Sequence, residues 1–187
     1  GMSQCGRARD DWGHWFGCNN SEPCFLLGPD DPALTRNRFV SPPPTRHRLV
    51  DPGQRLYPTS PTVARFNYPG SANHFTSACG LEICRDPLLG ADFASSLVVC
   101  EPVHNLVHRE ALERDGWGFR SRPLERETHL LRSSDNWFRP VMARTGPDGC
   151  LWVVDMYRAV IEHPEWIPPE VQERIDLRAG DEFGRIW

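Results

Sequence analysis

The chain has 187 residues, 39% of them hydrophobic and 25% charged, with a net charge of −4 and a pI near 6.0. That length is enough for one domain, residues 1–187, with a real core, and the acidic balance argues against a nucleic-acid partner. No run reaches the roughly 18 apolar residues of a membrane helix, GMSQCGRARDDWG holds no apolar signal-peptide core, and 18 prolines with 15 glycines favour short elements joined by turns.

In chain order, DDWGHWFGCNNSEP (10–23) reads as a strand running into a turn. Residues 28–61 read as a long Pro-rich surface loop, unusual inside a compact domain. FNYPGSANHFTSACGLEI (66–83) is expected to enter a strand near Phe75. SSLVVCEP (95–102) is a short apolar strand. NLVHREALERDGWGFRSRPLE (105–125) reads as a hairpin turning at Asp115-Gly116, although HREALER also suits a helix. RPVMARTGPDGCLWVVDMY (139–157) is a second hairpin, its turn at Pro147-Asp148-Gly149. PPEVQERI opens a short helix over 168–176, its prolines suited to the first turn, and FGRIW (183–187) reads as a closing strand.

None of the seven cysteines forms CxxC or CxxCH, so neither a zinc knuckle nor c-type haem attachment is expected. Cys79 and Cys84, five apart, are expected on opposite faces of a strand, which disfavours a mutual disulfide. Buried reduced thiols are the plainer reading. In HNLVH, His104 and His108 are four apart. On a strand that places them roughly 13 Å apart, too far to share a metal.

GHWFGCN (13–19), SLVVCE (96–101) and CLWVVD (150–155) resemble one another. Each is apolar in the middle and ends in a polar side chain: Asn19, Glu101 and Asp155. Apolar runs without alternation imply burial on both faces. The repeated order of polar loop, strand, turn, apolar strand and acidic end points to an all-β chain, a partial β-propeller of about three to four blades.

The segments DDWGHWFGCNNSEP, ANHFTSACG, VVCEPVHNLVHR, SSDNWFRPVMARTGPDGCLWVVDMYR and EHPEWIPP resemble a bacterial membrane-bound dehydrogenase family of the haem-binding CxxCH type. The resemblance spans nearly the whole chain. It implies part of a six-bladed propeller similar to the quinoprotein sugar dehydrogenases, with pyrroloquinoline quinone and calcium as the implied cofactors and export as the implied destination. The match covers only the second part of that propeller, without the haem motif. The chain is therefore expected to be a piece of a ring: a propeller segment of a quinoprotein-like sugar or alcohol dehydrogenase, without independent catalysis. The alternatives are a non-enzymatic binding module or an inactive truncated product.

In such a propeller the loop entering the first strand of a blade and the loop between its second and third strands share one face. His74, Glu101, His104, Asn105, Asp135, Asn136 and Arg139 are thus expected together, with Asn73 beside them. A histidine there, His74 or His104, could abstract a proton from an alcohol. Glu101, Asn105, Asp135, Asn136 and Arg139 could bind cofactor or substrate, Arg139 by bidentate grip on a carboxylate. The alternative is that Asp135, Asn136 and Arg139 cap turns and pair with neighbouring acids. Asn19, Glu101 and Asp155 could contribute to a calcium ring, or else hydrogen-bond to nearby backbone. Blades cut from a ring also expose apolar faces. A homodimer through those faces is expected, unless the 28–61 loop and the C-terminal helix cover them.

Overall fold

Three antiparallel meanders, stacked face to face, account for the strands of the computed structural model, which describes residues 3, 6–28, 36–39, 41, 44–61, 70 and 72–187. Sheet 1 runs in the order β1 (Arg7–Arg9), β2 (Trp15–Asn19), β3 (Glu22–Leu27) and β4 (Arg46–Arg48). Sheet 2 follows as β5 (Cys79–Ile83), β6 (Ser96–Glu101), β7 (Leu106–Asp115) and β8 (Gly118–Pro123), and β9 (Leu131–Arg132) pairs the start of β7. Sheet 3 is β10 (Pro140–Thr145), β11 (Leu151–Asp155) and β12 (Arg185–Ile186). The described residues are all-β apart from single turns of helix. No helix among the described residues is long and apolar enough to cross a membrane.

Sheet 2 is the middle layer, and the sequence of β6 shows why. Every residue of SLVVCE is buried. Leu97 and Val99 face a first core shared with Phe16, Cys18, Cys24 and Leu26 of sheet 1. Val98 and Cys100 face a second core shared with Phe138, Ala143 and Val153. An unalternating apolar run is what a strand between two layers requires. The outer strand β11 differs from that expectation. Val153 and Asp155 are buried, but Trp152 is 41% exposed, because nothing described packs on the far side of sheet 3.

The first strands of the sheets lie side by side, and glycine permits it. Gly80 in β5 has φ of +61°, and a Cβ there would stand 2.5 Å from the Val141 carbonyl oxygen of β10. Gly80 also sits in an irregularity that shifts the β5–β6 register between Cys79 and Glu82. The shift changes the facing of one cysteine. Cys79 lies opposite Cys100 and packs on the second core with Cys84, so the expected opposite facing of Cys79 and Cys84 is overturned by the bulge.

Both hairpins form. Asp115 pairs with Gly118 across a two-residue turn in which Gly116 has φ of +57°, and HREALER is strand, not helix. In the second hairpin Asp148 accepts the Cys150 N–H and Gly149 has φ of +79°. The strand expected near Phe75 begins instead at Cys79, and Phe75 is a buried plug set edge-on against His108. The 28–61 segment is not a structureless loop. Residues 29–35, 40 and 42–43 lie outside the described residues, but β4 adds an edge to β3. Beyond it Val50 and Leu56 enter the first core, and the Leu56 N–H donates to the Asn73 carbonyl. The expected C-terminal helix shrinks to one turn, α1 (Pro169–Gln172).

A buried polar chain fastens this segment to sheet 2. The Tyr57 N–H donates to His129 Nε2, His129 Nδ1 meets His108 Nδ1 at 2.9 Å, and His108 Nε2 meets Glu110 at 3.0 Å. Glu110 in turn accepts from the Ser121 hydroxyl. Burial above all, then His108, Arg132 and His104, pushes the His129 pKa down to about 3.

Candidate functional site

The ends of β6 and β11 carry the same device. Glu101, wholly buried, closes β6. Its carboxylate accepts the N–H groups of Thr76 and Ser77, at 3.2 and 3.1 Å, and both their hydroxyls. Those residues lead into β5, the first strand of the same sheet. Asp155 closes β11 and accepts the Arg139 N–H at 2.8 Å, on the segment leading into β10. It also accepts the Tyr157 N–H at 2.9 Å and hydrogen bonds from the side chains of Arg185 and Trp187. In each case the acid satisfies backbone donors that the incoming loop would otherwise bury unpaired. Asn19 ends β2 at the corresponding place, and the neighbouring Asn20 carbonyl accepts the Ala78 N–H.

These anchors bring the sequence-derived residues together. His104 sits in a 3-10 turn over Pro102–His104. Its Nε2 accepts the Asn73 N–H at 2.9 Å, so its proton is on Nδ1, which donates to Glu101 at 3.1 Å. Asn105, at φ of +54°, donates through Nδ2 to the carbonyls of Asn136 and Phe138. Arg139 spends its guanidinium on the carbonyls of Pro102, Arg158 and Ala159, all within 2.9 Å. Burial lowers its pKa, and Glu162, Asp135 and Asp155 oppose that shift. Asp135 accepts the Trp137 N–H, and His74 Nδ1 lies 3.3 Å from the Gln54 carbonyl oxygen. Asp135 does cap a turn, as one reading had it. The Arg139 guanidinium, by contrast, pairs with carbonyls.

Above this framework lies a cleft of about 610 Å3. Its floor is Thr76, Ser77 and Pro102, whose inner polar atoms are held by Glu101 and Arg139. Asn20, Glu162, His163 and Trp166 also line the cleft. Trp166 is 61% exposed. It ends a 3-10 turn over Pro164–Trp166 that His163 caps by accepting the Glu165 N–H, and Gln172 of α1 pins that turn through the Pro164 and Ile167 carbonyls. The residues lining the cleft are therefore mostly neighbours of those expected. EHPEWIPP was distinctive in the sequence but carried no assigned role. An accessible Trp between His, Glu and a Pro pair was its only signal.

Neither implied cofactor fits these residues. A calcium ion needs carboxylate oxygens to spare, and those of Glu101 and Asp155 are filled by protein donors. A polycarboxylate quinone needs cationic donors. Arg139 faces inward on carbonyls, and the charged side chain that lines the cleft is Glu162. Among the described residues, no three His, Cys, Asp or Glu side chains group as a metal site.

No curated protein and no solved structure matches the chain. One sequence-family model covers it completely, residues 1–187, under the description Domain of unknown function (DUF7133), and the chain belongs to that family.

Proposed function

We propose that the chain is a segment of a β-propeller of the quinoprotein-like dehydrogenase kind, which binds a ligand at one end of its sheets and has no catalysis of its own. Three features support the propeller reading: three consecutive antiparallel meanders, first strands that lie against one another, and a carboxylate latch repeated at the ends of β6 and β11. One observation carries the non-catalytic reading. His104, one of the two expected bases, has both ring nitrogens occupied inside a buried pair with Glu101. A base must reach the proton it abstracts.

The test is titration of the chain with pyrroloquinoline quinone in the presence of calcium, followed by dye reduction with an aldose. The expected result is no stoichiometric binding and no reduction. Tight one-to-one binding followed by turnover overturns the reading.

A second reading concerns assembly. The outer side of sheet 3 exposes Met142, Trp152 and Ile186 at 43, 41 and 64%. Apolar side chains grouped on one sheet face favour a partner, and we propose a second copy of this chain, paired about a twofold axis. Light scattering is expected to give about twice the 21.3 kDa of one chain. A single-chain mass at micromolar concentrations overturns it.

A further inference from the structure

The opposite end of the sheets carries a second depression, of about 650 Å3, where β1 runs out beside the ends of β5 and β10. Four arginines line it: Arg7, Arg9, Arg85 and Arg144. In a chain of net charge −4 this is a local concentration of positive charge.

The acids of the groove are already taken. Asp11 pairs with Arg85 at 2.7 Å, and Glu82 with Arg144 at 3.3 Å. Asp10 pairs with the His14 ring at 2.6 Å and accepts the N–H groups of Trp12 and His14. The charges of Arg7 and Arg9 are left uncompensated by these carboxylates. Both side chains leave the same side of β1, because Ala8 between them is buried in the first core. Their Cα atoms are roughly 7 Å apart along the strand. Arg9 rests over the Trp15 ring, 5.6 Å from its centroid, which holds its guanidinium in place. A guanidinium offers a planar fork of N–H donors that matches carboxylate and phosphate oxygens.

We propose that this groove is a binding site for a small dianion bearing carboxylate or phosphate oxygens, held between Arg7 and Arg9. Arg85, Arg144 and Thr145 form its wall. The paired acids around it set an upper limit on ligand charge, since a larger polyanion would meet Asp11 and Glu82. The site lies at the far end of β5 from Thr76 and Ser77, so it is separate from the cleft.

Calorimetric titration with malonate and with inorganic phosphate, at constant ionic strength set with chloride, tests the assignment. Saturable binding of either anion is expected. Malonate alone identifies a carboxylate ligand, phosphate alone a phosphate ligand, and both together an oxyanion site read by charge. Arg7→Gln combined with Arg9→Gln is expected to weaken binding by about tenfold or more, the effect of losing charge-assisted hydrogen bonds. Arg178→Gln, in the distant Arg178–Asp181 pair, is expected to leave it unchanged. An unaltered circular dichroism spectrum in the double variant separates lost binding from lost folding. No saturation with either anion, or equal binding by the double variant, overturns the proposal.

Discussion

Sheets 1 and 3 both flank sheet 2, yet they treat their outer faces differently. On sheet 1 the outward Phe25 is wholly buried. It lies across from Gly17, where an added Cβ would stand 2.7 Å from its ring, and the Arg46 guanidinium covers it at 5.0 Å. On sheet 3 the outward Met142, Trp152 and Ile186 have no such cover among the described residues. A missing side chain and a folded-over arginine close the sheet 1 face at Phe25, although Trp15 on the same face is 46% exposed. The other has the same apolar character and no cover among the described residues. A sheet face is finished by what the chain lays on it, not by the strand residues alone.

The largest effect expected from this contrast is on stability. Phe25→Ala should cost about 3–5 kcal/mol, as for a buried aromatic. Trp152→Ala should cost well under half of that, because its ring is already partly in water. Chemical denaturation of the two variants compares them directly. Similar losses would mean that sheet 3 is covered in solution, which is the outcome the proposed dimer predicts at high concentration only.

The next effect separates the two cores by pH. His129 has a folded pKa near 3, well below its unfolded value near 6.5. Between those values the unfolded chain binds the extra proton, so stability rises with pH in that window. The contribution is complete above about pH 6.5 and is lost as pH falls towards 3. From pH 7 to pH 5 a loss of about 2 kcal/mol is expected. His129 and its partner His108 hold the Tyr57 segment against sheet 2. Hydrogen exchange at pH 5 should therefore loosen residues 49–60 before β10 and β11. His129→Gln should flatten the pH slope, and an unchanged slope would remove His129 as its source.

The smallest effect on stability, and the sharpest on assembly, is expected from Trp152→Arg. A substitution at a partly exposed position should change the stability of a single chain by about 0.5 kcal/mol or less. It should also return the light-scattering mass to that of one chain. A variant that keeps the wild-type mass would place any association elsewhere.

Much of the fold was legible because local chemistry and long-range packing agree there. SLVVCE could only be a strand between two layers, and Gly116 and Gly149 marked both hairpin turns. The site was legible in part. Of the expected set, Glu101 bonds His104, Asn105 bonds Asn136, and Arg139 bonds Asp155 and Pro102, while His74 meets the Gln54 carbonyl. Residue type did not disclose that Glu101 and Arg139 face inward. A carboxylate at a strand end looks the same in sequence whether it holds a ligand or a loop. Trp166 escaped because an isolated aromatic has no period to read.

The sequence by itself determined the all-β class, the two hairpins and the polar residue that ends β2, β6 and β11, but not β1, β4 or β9. Those follow from side-chain period and from the φ that glycine and proline allow. Only the tertiary structure decided which faces are closed, which way Cys79 points and which polar groups remain to meet a ligand. Each of these depends on contacts between residues far apart in the chain: the bulge at Gly80 against Val141, the cover of Phe25 by Arg46, and the grip of Glu101 on Thr76 and Ser77. Hydrogen-bond donors and acceptors are fixed by residue type. Whether they are spent inside the fold is fixed by the neighbours that folding brings to them.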